Sequence, residues 1–191
     1  MNDHRGFTER AEHAVIRTAT RADIEGIFAI YDHEVLHGTA TAQTIPFTSA
    51  EREAWFVRHT PDLHPLVVAA EPDGFIAGWA GLSPWSPRQA YSRSAENSVY
   101  VHRSRHGRGL GRALMTELLA RTRRDTPVKL VIARPLDSNS ASIRLHESLG
   151  FETVGVLRRV MEKFGALHDV RILSLDLEML RSGAAGGVGP A

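Results

Sequence analysis

Apolar and polar residues alternate along Ser94–Val101, which predicts a β-strand with Glu96, Ser98 and Tyr100 on one face. After a turn at 106–111, apolar residues recur every three or four positions, which predicts an α-helix. The helical positions are Leu110, Leu114 and Leu118, with Ala113, Met115 and Leu119 beside them. A strand, a glycine-rich turn and a helix therefore form the central unit of the chain.

The same two periods predict elements before and after this unit. Apolar runs predict strands at 14–17, 66–70, 75–82 and 128–133. The capping boxes Thr20-Arg-Ala-Asp23 and Thr48-Ser-Ala-Glu51 each open a helix. In the second of these helices we expect Trp55 and Phe56 to form the buried side.

One helix and two strands complete the pattern. The helix is capped by Ser138 or Asn139 and ends at Gly150, where glycine is a common stop. The strands at 153–161 and 170–177 follow it and are joined through Phe164-Gly165. Because strands and helices do not alternate regularly, the order predicts a mixed α/β domain.

Length and composition limit the possible functions. A chain of 191 residues can form one well-buried domain, placed here at 14–178 with flexible tails at 1–13 and 181–191. It contains no cysteine, which excludes disulfides, thiolate metal sites and a cysteine nucleophile. The net charge of +1 gives no argument for nucleic acid or membrane partners, and no apolar run approaches the ~18 residues of a membrane helix. We therefore expect a cytoplasmic protein.

The glycine-rich turn has the composition of an anion-binding loop. Glycines between a strand and a helix let backbone N–H groups approach an anion, and the helix N-terminus adds partial positive charge. The turn lacks the G-x-G-x-x-G spacing of a dinucleotide fold and the Lys-Ser/Thr pair of a phosphate loop. It matches the acyl-coenzyme A turn (Q/R)-x-x-G-x-(G/A), except that His106 takes the first position. We therefore predict a site for a pyrophosphate-bearing ligand.

Further local patterns lie within residues 15–177. They are Tyr31-x-His33-Glu34-Val35-Leu36 with Thr39-Ala-Thr41, Gly78-Trp79-Ala80, Trp85-x-x-Arg88-x-Ala90-Tyr91, Glu96-x-Ser98-Val99-Tyr100-Val101, Asn139-x-Ala141-Ser142-Ile143-Arg144-Leu145-His146-Glu147-x-Leu149-Gly150-Phe151, and His168-Asp169-Val170. With the turn, they resemble the GCN5-related N-acetyltransferase (GNAT) superfamily, and more narrowly its phosphinothricin and methionine sulfoximine acetyltransferases. The resemblance implies an α/β (α+β) fold: one mixed, mostly antiparallel twisted sheet of six to seven strands, flanked by about four helices.

The resemblance also implies an activity. We expect transfer of the acetyl group of acetyl-CoA to the amine of a small amino-acid-like substrate, such as phosphinothricin or methionine sulfoximine or sulfone, by direct attack in a ternary complex. The amine is protonated at neutral pH and needs a base, and Glu96 resembles the base of the family. His146 occupies the helix position where many members carry a tyrosine that assists the departing thiolate.

Binding residues carry over from the resemblance in the same way. The expected acetyl-CoA contacts are the main chain of Val99, Tyr100 and Val101 for the pantetheine arm, the turn Gly107, Arg108, Gly109, Leu110, Gly111 and Arg112 for the pyrophosphate, and Asn139 and Ser142 near the thiol end. The expected substrate contacts are Thr39, Thr41, Arg88 and Tyr91, with Arg88 placed to bind a carboxylate. The family commonly forms dimers, so we expect a homodimer that acts on a small-molecule amine.

The chain departs from the family pattern at three positions. His106 stands where glutamine or arginine is usual, Leu167 where tryptophan is usual, and Ser174 where glutamine is usual. The last two belong to the region that lines the acceptor site or a dimer seam. They affect the predicted substrate more than the predicted cofactor.

Two other functions stay open at this point. His33-Glu34-Val35-Leu36-His37 matches the H-E-x-x-H of zinc proteases, so a zinc metallohydrolase is one alternative. Gly38 ends the helix directly after this motif, and the family pattern has His-Glu here without metal, so we predict no metal site. The other alternative is a non-catalytic acyl-CoA sensor on the same fold.

Overall fold

A computed structural model describes residues 14–178, which form a seven-stranded sheet with helices on both faces. The strands are β1 (Val15–Thr18), β2 (Leu66–Ala70), β3 (Ile76–Pro84), β4 (Ser94–Val101), β5 (Leu130–Ala133), β6 (Glu152–Lys163) and β7 (Ala166–Asp176). Their order is β1-β2-β3-β4-β5-β7-β6, and all neighbours are antiparallel except β4 and β5. The predicted mixed, mostly antiparallel sheet is confirmed. The tails predicted at 1–13 and 181–191 lie outside the described residues.

The described helices are α1 (Ile24–His37), α2 (Ser49–Val57), α3 (Leu110–Asp125) and α4 (Ser140–Glu147). The capping box of α2 forms as predicted: the Thr48 hydroxyl oxygen accepts from the Glu51 N–H, and the Glu51 carboxylate accepts from the Thr48 N–H. The box at Thr20 closes the short 3-10 turn Arg21–Asp23 instead, so α1 begins only at Ile24. None of the four helices has both the length and the apolar character needed to cross a membrane.

Successive residues of the central strands face two different cores. In β2, Val67 and Ala69 belong to the core that contains Leu114 of α3, whereas Val68 belongs to the core that contains Phe28 of α1. The sheet is therefore the middle of three layers. The core on the α1 side is rich in aromatic rings, and these rings later form a cavity.

Helix α2 covers this second core without a fully buried residue of its own. Trp55 and Phe56, which we expected to be buried, are half-buried and pack against the cluster around Phe28. The difference has a local cause, because Trp55 lines an open cavity rather than a filled core.

The last two strands are longer than the predicted 153–161 and 170–177. They pair through a turn in which Phe164 and Gly165 adopt left-handed φ values of 52° and 74°. The register shifts between Leu157 and Met161, so the alternation of exposed residues is interrupted there. Main-chain pairing rather than burial holds these residues in the strand, and a hydrophobic pattern therefore underestimates its length.

The central strands β4 and β5 separate beyond Glu96. They pair in parallel only at residues 94–96 against 130–132. Residues 97–101 of β4 keep their antiparallel pairing with β3, but no strand within residues 14–178 pairs with their other side. Every second residue of this stretch therefore offers main-chain groups to whatever lies between the two strands.

Candidate active site

A groove of about 730 Å³ lies where β4 and β5 separate. Its walls are the free edge of β4, the glycine turn, the first turns of α4 and the loop that follows α1. Predicted site residues that line it are Thr39, Glu96, Val99, Tyr100, Val101, Gly107, Gly109, Leu110, Gly111, Asn139, Ser142 and His146. The fold brings these residues into one groove, and their individual roles stay predictions.

Two glycines shape the turn before α3. Gly107 and Gly109 both have a φ of 75°, and a Cβ at either position would meet no atom within 4 Å. Glycine is needed there for the backbone conformation and not for space. The first bond of the helix runs from the Ala113 N–H to the Gly109 carbonyl oxygen. The N–H groups of residues 110–112 precede that bond and are available to an anion.

The side chains of the turn are partly engaged by the protein. His106 lies with Nε2 at 2.9 Å from the Val101 carbonyl oxygen, so the residue that departs from the acyl-coenzyme A pattern ties the turn to the end of β4. Arg112 donates to the Ser148 hydroxyl at 2.7 Å. Arg108 and Arg112 are exposed and do not line the groove. Their contribution to phosphate binding would come from its rim.

Glu96 forms a two-point ion pair that no sequence motif indicated. Its carboxylate oxygens accept hydrogen bonds from Nε and Nη2 of Arg134, at 2.8 and 2.6 Å. The guanidinium carbon lies 5.4 Å from the centre of the Trp85 ring, which supports it from one side. Glu96 lines both the groove and a second cavity, so its carboxylate stands where the two meet.

His146 is buried, with 3% of its surface exposed. Its Nδ1 lies 2.7 Å from the Ser142 carbonyl oxygen, which can only accept, so Nδ1 carries the proton. Its Nε2 then accepts from the Asn97 amide nitrogen at 2.9 Å. Burial lowers the pKa of His146, although the bond to Ser142 acts in the opposite direction. The ring is therefore neutral near pH 7 and has no N–H free for a ligand.

The second cavity, of about 170 Å³, adjoins Glu96 on the α1 side of the sheet. Its other lining residues are mainly aromatic: Phe28, Tyr31, Phe47, Trp55, His59, Trp79, Gly81, Ser83 and Ser98. Burial lowers the pKa of His59 to about 4, so this ring is neutral at physiological pH. The indole N–H of Trp79 is buried and has no acceptor among the described residues. The cavity can therefore hold a small uncharged side chain that offers a hydrogen-bond acceptor.

The four predicted substrate residues do not lie together. Thr39 lines the groove, whereas the Thr41 hydroxyl is buried and shares a 2.8 Å hydrogen bond with the Tyr31 hydroxyl. Arg88 and Tyr91 are exposed in the connection between β3 and β4, and they line neither cavity. Only Thr39 is thus placed beside the groove in this conformation.

Two hydrogen-bond donors fix the loop that follows α1 against the sheet. Lys163, at the end of β6, donates from Nζ to the carbonyl oxygens of Glu34 and Thr41, at 3.1 and 2.9 Å. Tyr100 donates from its hydroxyl to the Ala40 carbonyl oxygen at 3.1 Å. Burial lowers the pKa of Lys163 and raises the pKa of Tyr100. These bonds hold one wall of the groove in place.

The H-E-x-x-H motif does not form a metal centre in the described part of the chain. The rings of His33 and His37 are 5.0 Å apart, and Glu34 lines the groove. Within residues 14–178, no group of three or more histidine, aspartate or glutamate side chains is placed to hold a metal ion. The zinc-hydrolase alternative therefore lacks a third ligand there.

Comparisons with known proteins agree with one another. The model of the Acetyltransferase (GNAT) family matches residues 24–151. The chain is 37% identical over 169 residues to the L-methionine sulfoximine/L-methionine sulfone acetyltransferase of Pseudomonas paraeruginosa, covering 88% of this chain and 98% of that one. It is 36% identical over 166 residues to the phosphinothricin N-acetyltransferase of Streptomyces viridochromogenes, covering 86% and 88%. The structure of Salmonella typhimurium yncA with its cofactor acetyl-CoA matches with a TM-score of 0.82 at 32% identity, covering 94% and 98%.

Proposed function

We infer that this chain, which belongs to the GNAT acetyltransferase family, transfers the acetyl group of acetyl-CoA to the free amine of a small amino-acid-like substrate. The observation that carries the inference is the free edge of β4, which leads to the N-terminus of α3 within one groove. An extended arm with amide groups can pair with the free edge, and a pyrophosphate can bind the unpaired N–H groups of the helix.

The proposed acetyl-CoA contacts follow the groove from one end to the other. Main-chain groups of residues 99–101 bind the pantetheine arm, and residues 107–112 bind the pyrophosphate. Asn139 uses its Oδ1 to accept from the Ser142 N–H at 3.0 Å, which leaves its amide N–H groups for a ligand.

Because acetyl-CoA is an intracellular cosubstrate, we also propose a cytoplasmic location.

Glu96 is the proposed general base. It stands where the groove meets the second cavity, so one carboxylate can reach both the thioester and an amine held beside it. One ammonium proton passes to Glu96, the nitrogen attacks the thioester carbonyl carbon and the C–S bond breaks. The second proton that the nitrogen loses on becoming an amide passes to the departing thiolate, so CoA leaves as the thiol. Because the chain contains no cysteine, the acetyl group cannot pass through a cysteinyl intermediate.

For His146 we propose that it assists the departing thiolate by positioning its neighbours. Both ring nitrogens are already engaged, so direct proton donation would need a second proton on a ring that burial keeps neutral. The ring instead fixes Asn97 and the first turn of α4, which line the groove. This role agrees with the helix position that the family resemblance gives to His146.

The second cavity favours an acceptor with an uncharged side chain. None of the described residues that line it is lysine or arginine, so an anionic side chain would find no counter-ion on its walls. Sulfone and sulfoximine groups are uncharged hydrogen-bond acceptors, whereas phosphinothricin carries a phosphinate anion. We therefore expect methionine sulfone or methionine sulfoximine to be a better acceptor than phosphinothricin.

A thiol-release assay with acetyl-CoA tests the proposed function. The panel consists of methionine sulfone, methionine sulfoximine, phosphinothricin, unmodified amino acids and polyamines, and mass spectrometry identifies the acetylated product. The expected result is faster release with one or more amino acids than with the polyamines. Calorimetric binding of acetyl-CoA without acetylation of any amine would favour the sensor alternative instead.

We also propose that two copies associate through the β6–β7 hairpin. Strand β6 is at one edge of the described sheet, and the hairpin exposes the apolar side chains Val154, Leu157, Val160, Phe164 and Leu167. Exposed apolar edge strands favour association, and the family resemblance favours a second copy as the partner. Sedimentation equilibrium is expected to give a dimer for the wild type and a monomer after Leu157→Glu with Val160→Glu. A monomeric wild type would contradict the proposal.

A further inference from the structure

The Glu96–Arg134 ion pair complements the charges of an α-amino acid. Such a substrate presents an ammonium and a carboxylate separated by one carbon. Glu96 and Arg134 present a carboxylate and a guanidinium that contact each other through two hydrogen bonds beside the groove. We propose that Arg134 binds the substrate carboxylate while Glu96 receives the substrate ammonium. This assignment rests on the proposed acetylation of an amino-acid-like amine and names the group that selects for it.

Both partners keep hydrogen-bonding capacity for a ligand. The pair uses two of the five N–H donors of the guanidinium, and no described residue accepts from the other three. The carboxylate has about four acceptor sites, of which Arg134 occupies two. A bound amino acid can therefore add its ammonium to Glu96 and its carboxylate to Arg134 without breaking the existing bonds. The substrate ammonium, Glu96, Arg134 and the substrate carboxylate then form a ring in which positive and negative charges alternate.

Arg134 is both accessible and held in place. Its side chain is 48% exposed and lines the groove, so a dissolved substrate can reach it. The Trp85 ring on one side and Glu96 on another restrict the movement of the guanidinium. A guanidinium that is already ordered loses less conformational entropy when it binds a planar carboxylate.

The other nearby arginines are less suited to this role. Arg105 also lines the groove, but its Nε and Nη2 donate to Glu71 at 2.5 and 3.0 Å. Arg88, which the sequence motif favours for a carboxylate, is exposed and lines neither cavity. Arg134 is thus the guanidinium that directly contacts the proposed base.

The test compares the best amino acid of the panel with its carboxamide, which lacks the carboxylate charge and has a less basic amine. The difference in basicity is the same for every variant and cancels when the ratios of the variants are compared. Relative to the wild type, Arg134→Gln is expected to lower the preference, defined as kcat/KM for the amino acid divided by kcat/KM for the carboxamide, by about fivefold or more. Both substrates use Glu96, so any effect of the substitution on the base cancels in the ratio. The matched variant Arg88→Gln is expected to keep the wild-type preference.

A second variant and a stability measurement keep the result interpretable. Arg134→Lys retains the charge but not the planar fork, so it is expected to keep part of the preference. An Arg134→Gln enzyme that keeps the wild-type preference, or an Arg88→Gln enzyme whose preference falls as far as that expected for Arg134→Gln, overturns the assignment. A lower melting temperature with an unchanged ratio would make Arg134 merely structural. If the wild type acetylates no amine, the proposed function fails and this assignment fails with it.

Discussion

Asn97 donates a hydrogen bond from its amide nitrogen to Nε2 of His146 across 2.9 Å. The same nitrogen lies 3.5 Å from the sulfur of Met115, which is also an acceptor. Because both neighbours accept, they fix the orientation of the amide and leave Oδ1 buried without a partner among the described residues. A buried unpaired oxygen is destabilising, and a residue that lines the groove can relieve this cost by accepting from a bound ligand.

This arrangement predicts a modest effect of His146→Gln. Glutamine can donate to the Ser142 carbonyl oxygen and accept from Asn97, but it cannot transfer a proton. We expect kcat to fall by less than about tenfold with an unchanged pH profile, because loss of a general acid typically costs about 10²–10⁴-fold. His146→Phe removes both hydrogen bonds and should cost more than His146→Gln. An equally large loss in both variants, with loss of the high-pH limb of kcat, would instead identify His146 as a proton donor.

Glu96→Gln should lower kcat by about 10²–10⁴-fold, the usual contribution of a general base. The loss should be largest at low pH, where little of the acceptor amine is already deprotonated. The affinity for acetyl-CoA, measured by calorimetry, should change little, because Glu96 is not among the proposed acetyl-CoA contacts. Wild-type turnover of the variant at every pH would remove Glu96 from the mechanism.

The central strand, turn and helix could be predicted because their signals are local. Gly107 and Gly109 are needed for a backbone conformation that depends on the adjoining residues alone. The pairs that define the chemistry of the groove are not local. Arg134 meets Glu96 across 38 positions, and Lys163 meets Thr41 across 122. Such contacts depend on the order of strands in the sheet, which no periodic pattern encodes.

The two capping boxes show how tertiary contacts change the meaning of one local signal. Both have the same spacing, but only Thr48 begins an α-helix directly. Asp23 of the other box is 5% exposed and also accepts two hydrogen bonds from Arg17 of β1, at 2.7 and 2.8 Å. These hydrogen bonds connect Asp23 to strand β1, and a short 3-10 turn precedes α1 here. The sequence pattern alone carried no information about the contact with Arg17.

Trp79→Phe should reduce recognition of an oxygen-bearing side chain. The indole N–H has no acceptor within the described residues, and the ring lines the cavity beside Glu96. We expect the ratio of kcat/KM for methionine sulfone to that for methionine to fall by about five- to tenfold, the equivalent of one hydrogen bond. Methionine is the internal control, because loss of packing affects both substrates. An equal fall for both would mean that the N–H does not contact the substrate.

Lys163→Met should destabilise the fold and weaken the groove wall. The substitution keeps most of the side-chain volume but leaves the buried carbonyl oxygen of Thr41 without its donor. We expect the free energy of unfolding, from urea titration, to fall by about 1–3 kcal/mol, with a higher KM for the amine. The matched control is Lys129→Met, which removes a more exposed ion pair with Glu178 and should cost less than about 1 kcal/mol. Equal stability of the two variants would contradict a positioning role for Lys163.

His59 should make stability depend on pH in mild acid. Burial, with smaller effects from His64 and Arg58, lowers the pKa of His59 from 6.5 to about 4. Between these values the unfolded chain binds a proton at this ring and the folded chain does not, so the free energy of unfolding falls as the pH decreases from about 6.5 to about 4. Neither His59→Gln nor His59→Phe can bind that proton. Both variants should therefore lose less stability than the wild type between pH 7 and pH 5 in urea titrations, although the buried His64 and His146 keep part of the loss. A loss equal to that of the wild type in both variants would mean that the His59 ring is protonated as readily in the folded chain as in the unfolded one.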